Sequence, residues 1–211
     1  ISQINAGPPA TSDSVLIDVG TGTFITPNLL WGVDYNLSII GNGITESILT
    51  GNNSHTALDI QLAATGKLTM ANLTIQNGNN TVSSGGGLRL IGTGTNPVTF
   101  SDVRFRNNSS AAGGGGFYIS QVDAFFDPII VDNNTSLGSG AGFSASSSTL
   151  YLSSSEIFNN TNTLAGGAFG GGVALFATPF TIIGSYIHHN TVNAPISGGA
   201  GIYIGGTRPS G

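Results

Sequence analysis

Few residues in the chain could do chemistry: ten carboxylates, five Lys or Arg, three His and no Cys among 211 residues. The carboxylates are Asp13, Asp18, Asp34, Glu46, Asp59, Asp102, Asp123, Asp127, Asp132 and Glu156. Hydrolysis of a glycosidic bond needs two of them about 5 to 10 Å apart across one bond, and a calcium-assisted lyase needs several together with a base. His188 and His189 are sequence neighbours; on a strand they point to opposite faces and do not share an ion, and His55 is remote. No metal or cofactor site is expected. Glycines 113–116 are followed neither by a helix signal nor by a Lys-Ser/Thr pair, which removes the phosphate-loop reading. Asn-X-Ser/Thr occurs at Asn36, Asn52, Asn72, Asn79, Asn107, Asn108, Asn133, Asn134 and Asn159. These are acceptors for glycans in a glycosylating pathway, although Asn and Thr sharing turns produces the same pattern.

Composition narrows the classes further. Only 7% of residues are charged, Gly numbers 33, and five basic against ten acidic residues give a net charge of −5 with no Lys/Arg cluster. The phosphate-neutralising patch of a nucleic-acid binder is missing, so no nucleic-acid partner is expected. No apolar run approaches the roughly 20 residues of a membrane helix, so this segment is not expected to insert into a membrane. The chain starts at Ile1 without a charged leader and reads as a processed or trimmed extracellular piece.

What positions these residues is a repeat of unequal length. Ile75, Phe105, Val131, Ile157 and Ile187 form one column, separated by 30, 26, 26 and 30 residues, and Asn108, Asn134, Asn160 and Asn190 follow three positions after the last four. Leu73, Val103, Ile129, Ser155 and Ser185 lie two positions back; Met70, Phe100, Phe126, Leu152 and Ile182 lie five back; Leu68, Val98, Ala124, Leu150 and Phe180 lie seven back. Spacing two, a break of three, then spacing two again describes two short strands joined at a corner. Asn72, Asp102, Pro128, Ser154 and Gly184 occupy that corner, all residues suited to left-handed or fixed φ. A third strand follows the glycines at Leu58/Ile60, Leu88/Leu90, Phe117/Ile119, Phe143/Ala145, Val173/Leu175 and Ile202/Ile204.

Three strands per 26 to 30 residues without helical periodicity predict an all-β fold, a right-handed parallel β-helix in which each coil stacks on the last. Residues 1–35 are expected to be an N-terminal cap or first irregular coil, and residues 36–211 the coils proper, in one domain. Asn107 and Asn108 are read as opening a turn, with the stretch before the glycines as variable outer loop. Returned to these columns, the carboxylates form no pair: Asp102 aligns with Pro128, Asp132 with Arg106 and Phe158, Glu156 with Ile130. Arg106 and Asp132 are expected to pair across adjacent coils as an exposed ion pair, contributing less than about 1 kcal/mol.

With FxxN at Phe105 and Asn108, φxxN at Val131, Ile157 and Ile187, and GGGL, GGGF, GAGF, GGGV and GAGI in the glycine positions, residues 65–205 resemble the polymorphic outer membrane protein repeats of chlamydiae and other bacteria. Those repeats alternate FxxN with GGA and an aliphatic residue, and the early coils resemble pectate-lyase-like β-helices. The resemblance implies a secreted, surface-exposed solenoid. The expected function is structural or adhesive and non-enzymatic, with self-association through the solenoid ends or a ligand on a host or neighbouring cell. A polysaccharide-active lyase or hydrolase is the alternative, since the same scaffold carries such enzymes.

Overall fold

The computed structural model describes residues 13–28, 30–163, 168–193 and 197–206. Among these there is no helix, and parallel strands stack into a β-solenoid of about six turns. Alternation drives the stacking. In Asn36–Gly41, Lys67–Gln76 and Leu88–Arg106 every second residue is buried until the chain turns. The buried residues then meet their equivalents one coil away: Leu37 faces Leu68, Leu68 faces Val98, and Val98 faces Ala124. The key column is observed in register, Ile75 with Phe105, Val131, Ile157 and Ile187. The third strands match in the same way from Leu58 through Leu88, Phe117, Phe143 and Val173 to Ile202.

Each buried aliphatic or aromatic residue in these ladders contributes about 1.5 to 3 kcal/mol relative to exposure. Midway along the solenoid the interior is filled by Phe. Phe100 stacks on Phe126 at 4.7 Å and Phe117 on Phe143 at 4.6 Å, while Phe117 meets Phe126 edge-on at 5.5 Å. Stacking between coils and edge contact across the interior both suit the ring quadrupole. Ser155, which interrupts an apolar column, is buried because its hydroxyl accepts the N–H of Ile129 at 3.0 Å and donates to the Ser153 carbonyl at 2.6 Å.

Two left-handed corners bracket the second strand. The first falls at Asn72, Asp102, Ser154 and Gly184, with φ between 50° and 58°, and at Pro128 after a cis bond. The second falls at Asn77, Asn107, Asn133, Asn159 and His189, with φ between 51° and 55°. Asn and Asp tolerate this region better than other side chains.

After the second corner the Asn of φxxN turns inward. Asn134 is fully buried; its Oδ1 accepts from the backbone N–H and the side-chain amide of Asn108 at 2.9 and 3.1 Å, and its Nδ2 donates to the Phe105 carbonyl at 3.0 Å and Asn160 Oδ1 at 2.9 Å. Asn160 repeats the pattern with Asn134, Val131 and Asn190. At the start of the ladder Gly78, which lacks the side chain, donates its N–H to Asn108 Oδ1 at 2.8 Å. The third-strand glycines lie against this ladder. A Cβ on Gly116 would stand 2.4 Å from the Gly142 carbonyl oxygen and 3.0 Å from Asn134 Nδ2, and Gly87, Gly142 and Gly172 are confined in the same way by Asn108, Asn160 and Asn190. The Asn and Gly motifs are therefore two sides of one packed contact.

The stretch expected to begin a variable outer loop is partly ordered as sheet. Asn79–Asn80, Ser109–Ser110, Thr135–Ser136, Thr161–Asn162 and Thr191–Val192 form a fourth, two-residue strand in each of five coils, paired in parallel. Two residues are too few for a periodic signal, which is why the sequence did not reveal it. At the other end, Ser14–Val19, Gly22–Ile25 and Leu30–Val33 pair with Asn36–Gly41, Ser47–Thr50 and Leu58–Leu62, so these three strands belong to a coil of the same solenoid. Residues 1–12 of the expected cap lie outside the described residues.

Gly116→Ala is expected to lower stability by about 1 to 3 kcal/mol, or roughly 2 to 4 °C in Tm per kcal/mol. Gly20→Ala, where a Cβ meets nothing within 4 Å, is expected to stay within about 0.5 kcal/mol of the parent. Thermal unfolding followed by circular dichroism measures both, and equal melting of the two variants contradicts the packed contact.

Candidate functional site on the outer wall

The outward positions mix hydroxyls and amides with aromatic residues such as the stacked Phe125 and Tyr151, and two Arg–Asp ion pairs and a His–Glu contact stand out among the described residues. Asp132 lies opposite Arg106 in register, as the columns imply, but its partner is Arg104. Arg104 donates from Nε at 2.7 Å and from Nη2 at 2.9 Å to the two carboxylate oxygens, while Asn133 Nδ2 donates to Oδ2 at 2.6 Å. Arg106 instead donates to Gln76 Oε1 at 2.9 Å. The expected Arg106 pair is thus replaced by a diagonal one, because only the Arg104 guanidinium presents its fork to both oxygens. Nor is the pair exposed: the Asp132 side chain is 1% accessible and that of Arg104 is 25%. The hydrogen bond to Asp132 raises the Arg104 pKa further above its ordinary value, with partial burial opposing.

His188 and His189 also depart from expectation. The strand Tyr186–His188 ends before His189, whose φ of 53° brings its ring round to the same side. The two Nδ1 atoms lie 2.6 Å apart, a hydrogen-bonding distance, and His188 Nε2 lies 3.0 Å from Glu156 Oε1. No group of three or more His, Cys, Asp or Glu among the described residues could hold a metal ion.

Glu156 shares a cavity of about 260 Å³ with Asp102. Column alignment could not show this, because the two carboxylates sit two coils apart and in columns offset by two residues, the corner and the second strand. Two strand spacings place them roughly 10 Å apart along the axis, at the upper edge of the range for paired carboxylates in glycoside hydrolysis. Asp59 pairs with Arg89 at 3.0 Å on the third-strand wall, both about one-third exposed.

The nine Asn-X-Ser/Thr asparagines divide by burial. Asn52, Asn72, Asn107, Asn133 and Asn159 are exposed, all of them with left-handed φ, and Asn36 and Asn79 are partly exposed. Asn108 and Asn134 are ladder residues at 1% and 0% exposure; the folded wall has no room for a glycan on either, since their amides are already bonded inside.

No protein-family model, curated protein or solved structure matches this chain. The β-solenoid stands on the strand register alone, and the repeat resemblance on the motifs that carry it.

Arg104→Ala leaves the Asp132 carboxylate buried without its cation and is expected to cost about 3 to 5 kcal/mol. Arg106→Ala removes a half-exposed contact and is expected to cost about 1 kcal/mol or less. Urea unfolding of both variants decides the partner of Asp132: a larger loss for Arg106→Ala restores the expected pair.

Proposed function

We propose that the chain is a non-enzymatic extracellular β-solenoid with a structural or adhesive role, a segment of a surface-displayed passenger that presents its outer wall to a host or neighbouring cell. The observation that carries this reading is how the residues are distributed. The Asn and Gly motifs of each coil are consumed in holding coil to coil, while the outward columns are left to present hydroxyls, amides and stacked aromatics such as Phe125 and Tyr151 along the axis. Long polar faces on a rigid rod suit attachment across many weak contacts. The FxxN and GGA-aliphatic repeats, which resemble those of polymorphic outer membrane proteins, support the same placement at a cell surface.

A fibre-forming variant of this reading has copies stacking coil on coil through strand edges. The enzymatic alternative draws on the shared Asp102 and Glu156 cavity.

Beads coated with the folded chain are expected to be retained on cell layers severalfold above albumin-coated beads, and to lose that retention when the chain is heat-unfolded first. Negative-stain microscopy of concentrated protein distinguishes presenting monomers from fibres. Absence of retention on every surface, or release of unsaturated or reducing sugars from a polysaccharide panel that Glu156→Gln abolishes, overturns the proposal.

A further inference from the structure

The wall beside the Asp59 and Arg89 pair is concave. A depression of about 400 Å³ lies there, bounded by residues 54–56 on one side and residues 79–83 on the other. That volume falls within the range of about 300 to 1,000 Å³ usual for ligand pockets. Asp59 and Arg89 occupy neighbouring rungs of one column, and their 3.0 Å pair fixes both side chains toward the depression.

The rims are held in place before any ligand arrives. Asn80 Oδ1 accepts the N–H groups of Val82 and Ser83 at 3.2 and 2.8 Å, and its Nδ2 donates to the Ser84 carbonyl at 3.0 Å. The Asn79 N–H donates to the His55 carbonyl at 2.9 Å, and the His55 ring lies between Ser54 Oγ at 2.8 Å and the Thr26 carbonyl at 2.7 Å. A carbonyl can only accept, so His55 Nε2 bears a proton and donates it to Thr26. A loop fixed by its own hydrogen bonds loses little entropy when it binds.

The depression also continues along the solenoid. A second hollow of about 290 Å³ shares Asn79, Asn80 and Thr81 with it and runs past Ser109 and Thr135 to Thr163. Hydroxyls and amides therefore recur along the axis at the strand spacing of about 4.8 Å.

The chemistry of this groove selects among ligands. Asp59 and Arg89 cancel each other's charge, and the chain carries −5 overall, which disfavours acidic polysaccharides and nucleic acids. An added peptide strand has nothing to pair with, because the N–H groups of Ser109, Ala111, Thr135 and Leu137 already bond to carbonyls of neighbouring coils. Remaining are side-chain donors and acceptors, with the exposed Val82 and Leu137 as apolar lips. A ligand that is neutral, hydroxyl-covered and periodic fits them.

We propose that this groove binds a neutral oligosaccharide lying along the solenoid axis, one sugar seated between the Asp59 and Arg89 pair and the 79–83 rim. The proposal rests on the adhesive reading and names its ligand class.

Titration of the full chain followed by amide NMR shifts tests it, with cellotetraose, chitotetraose and mannotetraose as neutral probes and tetragalacturonate as the acidic comparator. At least one neutral probe is expected to bind below about 10 mM, with shifts confined to residues 54–59, 79–89, 109–111, 135–137 and 163. Thr81→Trp fills the groove from an exposed position and is expected to weaken binding at least about tenfold, as is Arg89→Ala. Thr69→Trp, exposed on the first-strand wall, is expected to leave binding unchanged. Binding of none of the neutral probes, binding of tetragalacturonate alone, or unchanged binding by Thr81→Trp overturns the proposal. Bead retention separates the two readings: retention that survives Thr81→Trp removes the groove and keeps the adhesive role, whereas no retention by the parent removes both.

Discussion

One contact between coils governs the rest: a buried Asn whose amide joins its own coil to the coils on either side, packed against a backbone that has no Cβ. The strand ladders can slide in principle, since Leu, Ile and Phe are interchangeable rungs. The Asn amide cannot slide, because its oxygen and both hydrogens have fixed partners at 2.9 to 3.1 Å. Buried polar groups in such a network fix register, since each mispaired member carries the desolvation cost of an unsatisfied donor or acceptor. The glycines are the steric complement. At Gly116 and Gly142 the carbonyl of the next coil stands 2.4 and 2.5 Å from where a Cβ would be, so any side chain would force the coils apart.

The outer wall follows from this interior. With the stacking set by Asn and Gly and the hydrophobic ladders, outward positions are left open to polar variation, and the few charges settle where geometry lets them pair. The Asp132 carboxylate paired with Arg104 is nearly inaccessible, while the Arg89–Asp59 pair stays at the surface. The groove beside Asp59 and Arg89 is preorganised because Asn80, an inward member of the fourth strand, uses its amide to shape the loop that follows it.

Most of the fold was legible in the sequence, because inward residues at spacing two and the corners between them leave a strong mark. The columns through Ile75, Leu73, Met70, Leu68 and Leu58 match the observed registers, and the Asn, Asp, Ser and Gly corners have the left-handed φ their types suggest. What was not legible involves side-chain direction. The sequence suggests that Asn107 and Asn108 both open the turn, yet it is the exposed Asn107 that turns and Asn108 that is buried; the two have the same type and only their orientation differs. A shared column points Arg106 at Asp132, but a long side chain reaches diagonally, and Arg104, two positions back, makes the better fork. Strand alternation puts His189 opposite His188, but the strand ends at His188, and the left-handed φ of His189 reverses that geometry. Asp102 and Glu156 line one cavity from positions two coils apart and in different columns, a relation that alignment of equivalent positions does not display.

Urea unfolding of Asn134→Asp tests the account most directly, with Asn107→Asp as the reference. The change is nearly isosteric, yet it removes both donors to the Phe105 carbonyl and Asn160 Oδ1 and places a carboxylate in a fully buried site. Asn107 is exposed in a left-handed corner that Asp also tolerates. The account predicts a loss of roughly 3 kcal/mol or more for Asn134→Asp and about 0.5 kcal/mol or less for Asn107→Asp. Equal losses for the two variants would contradict the claim that the buried Asn ladder holds the coils in register.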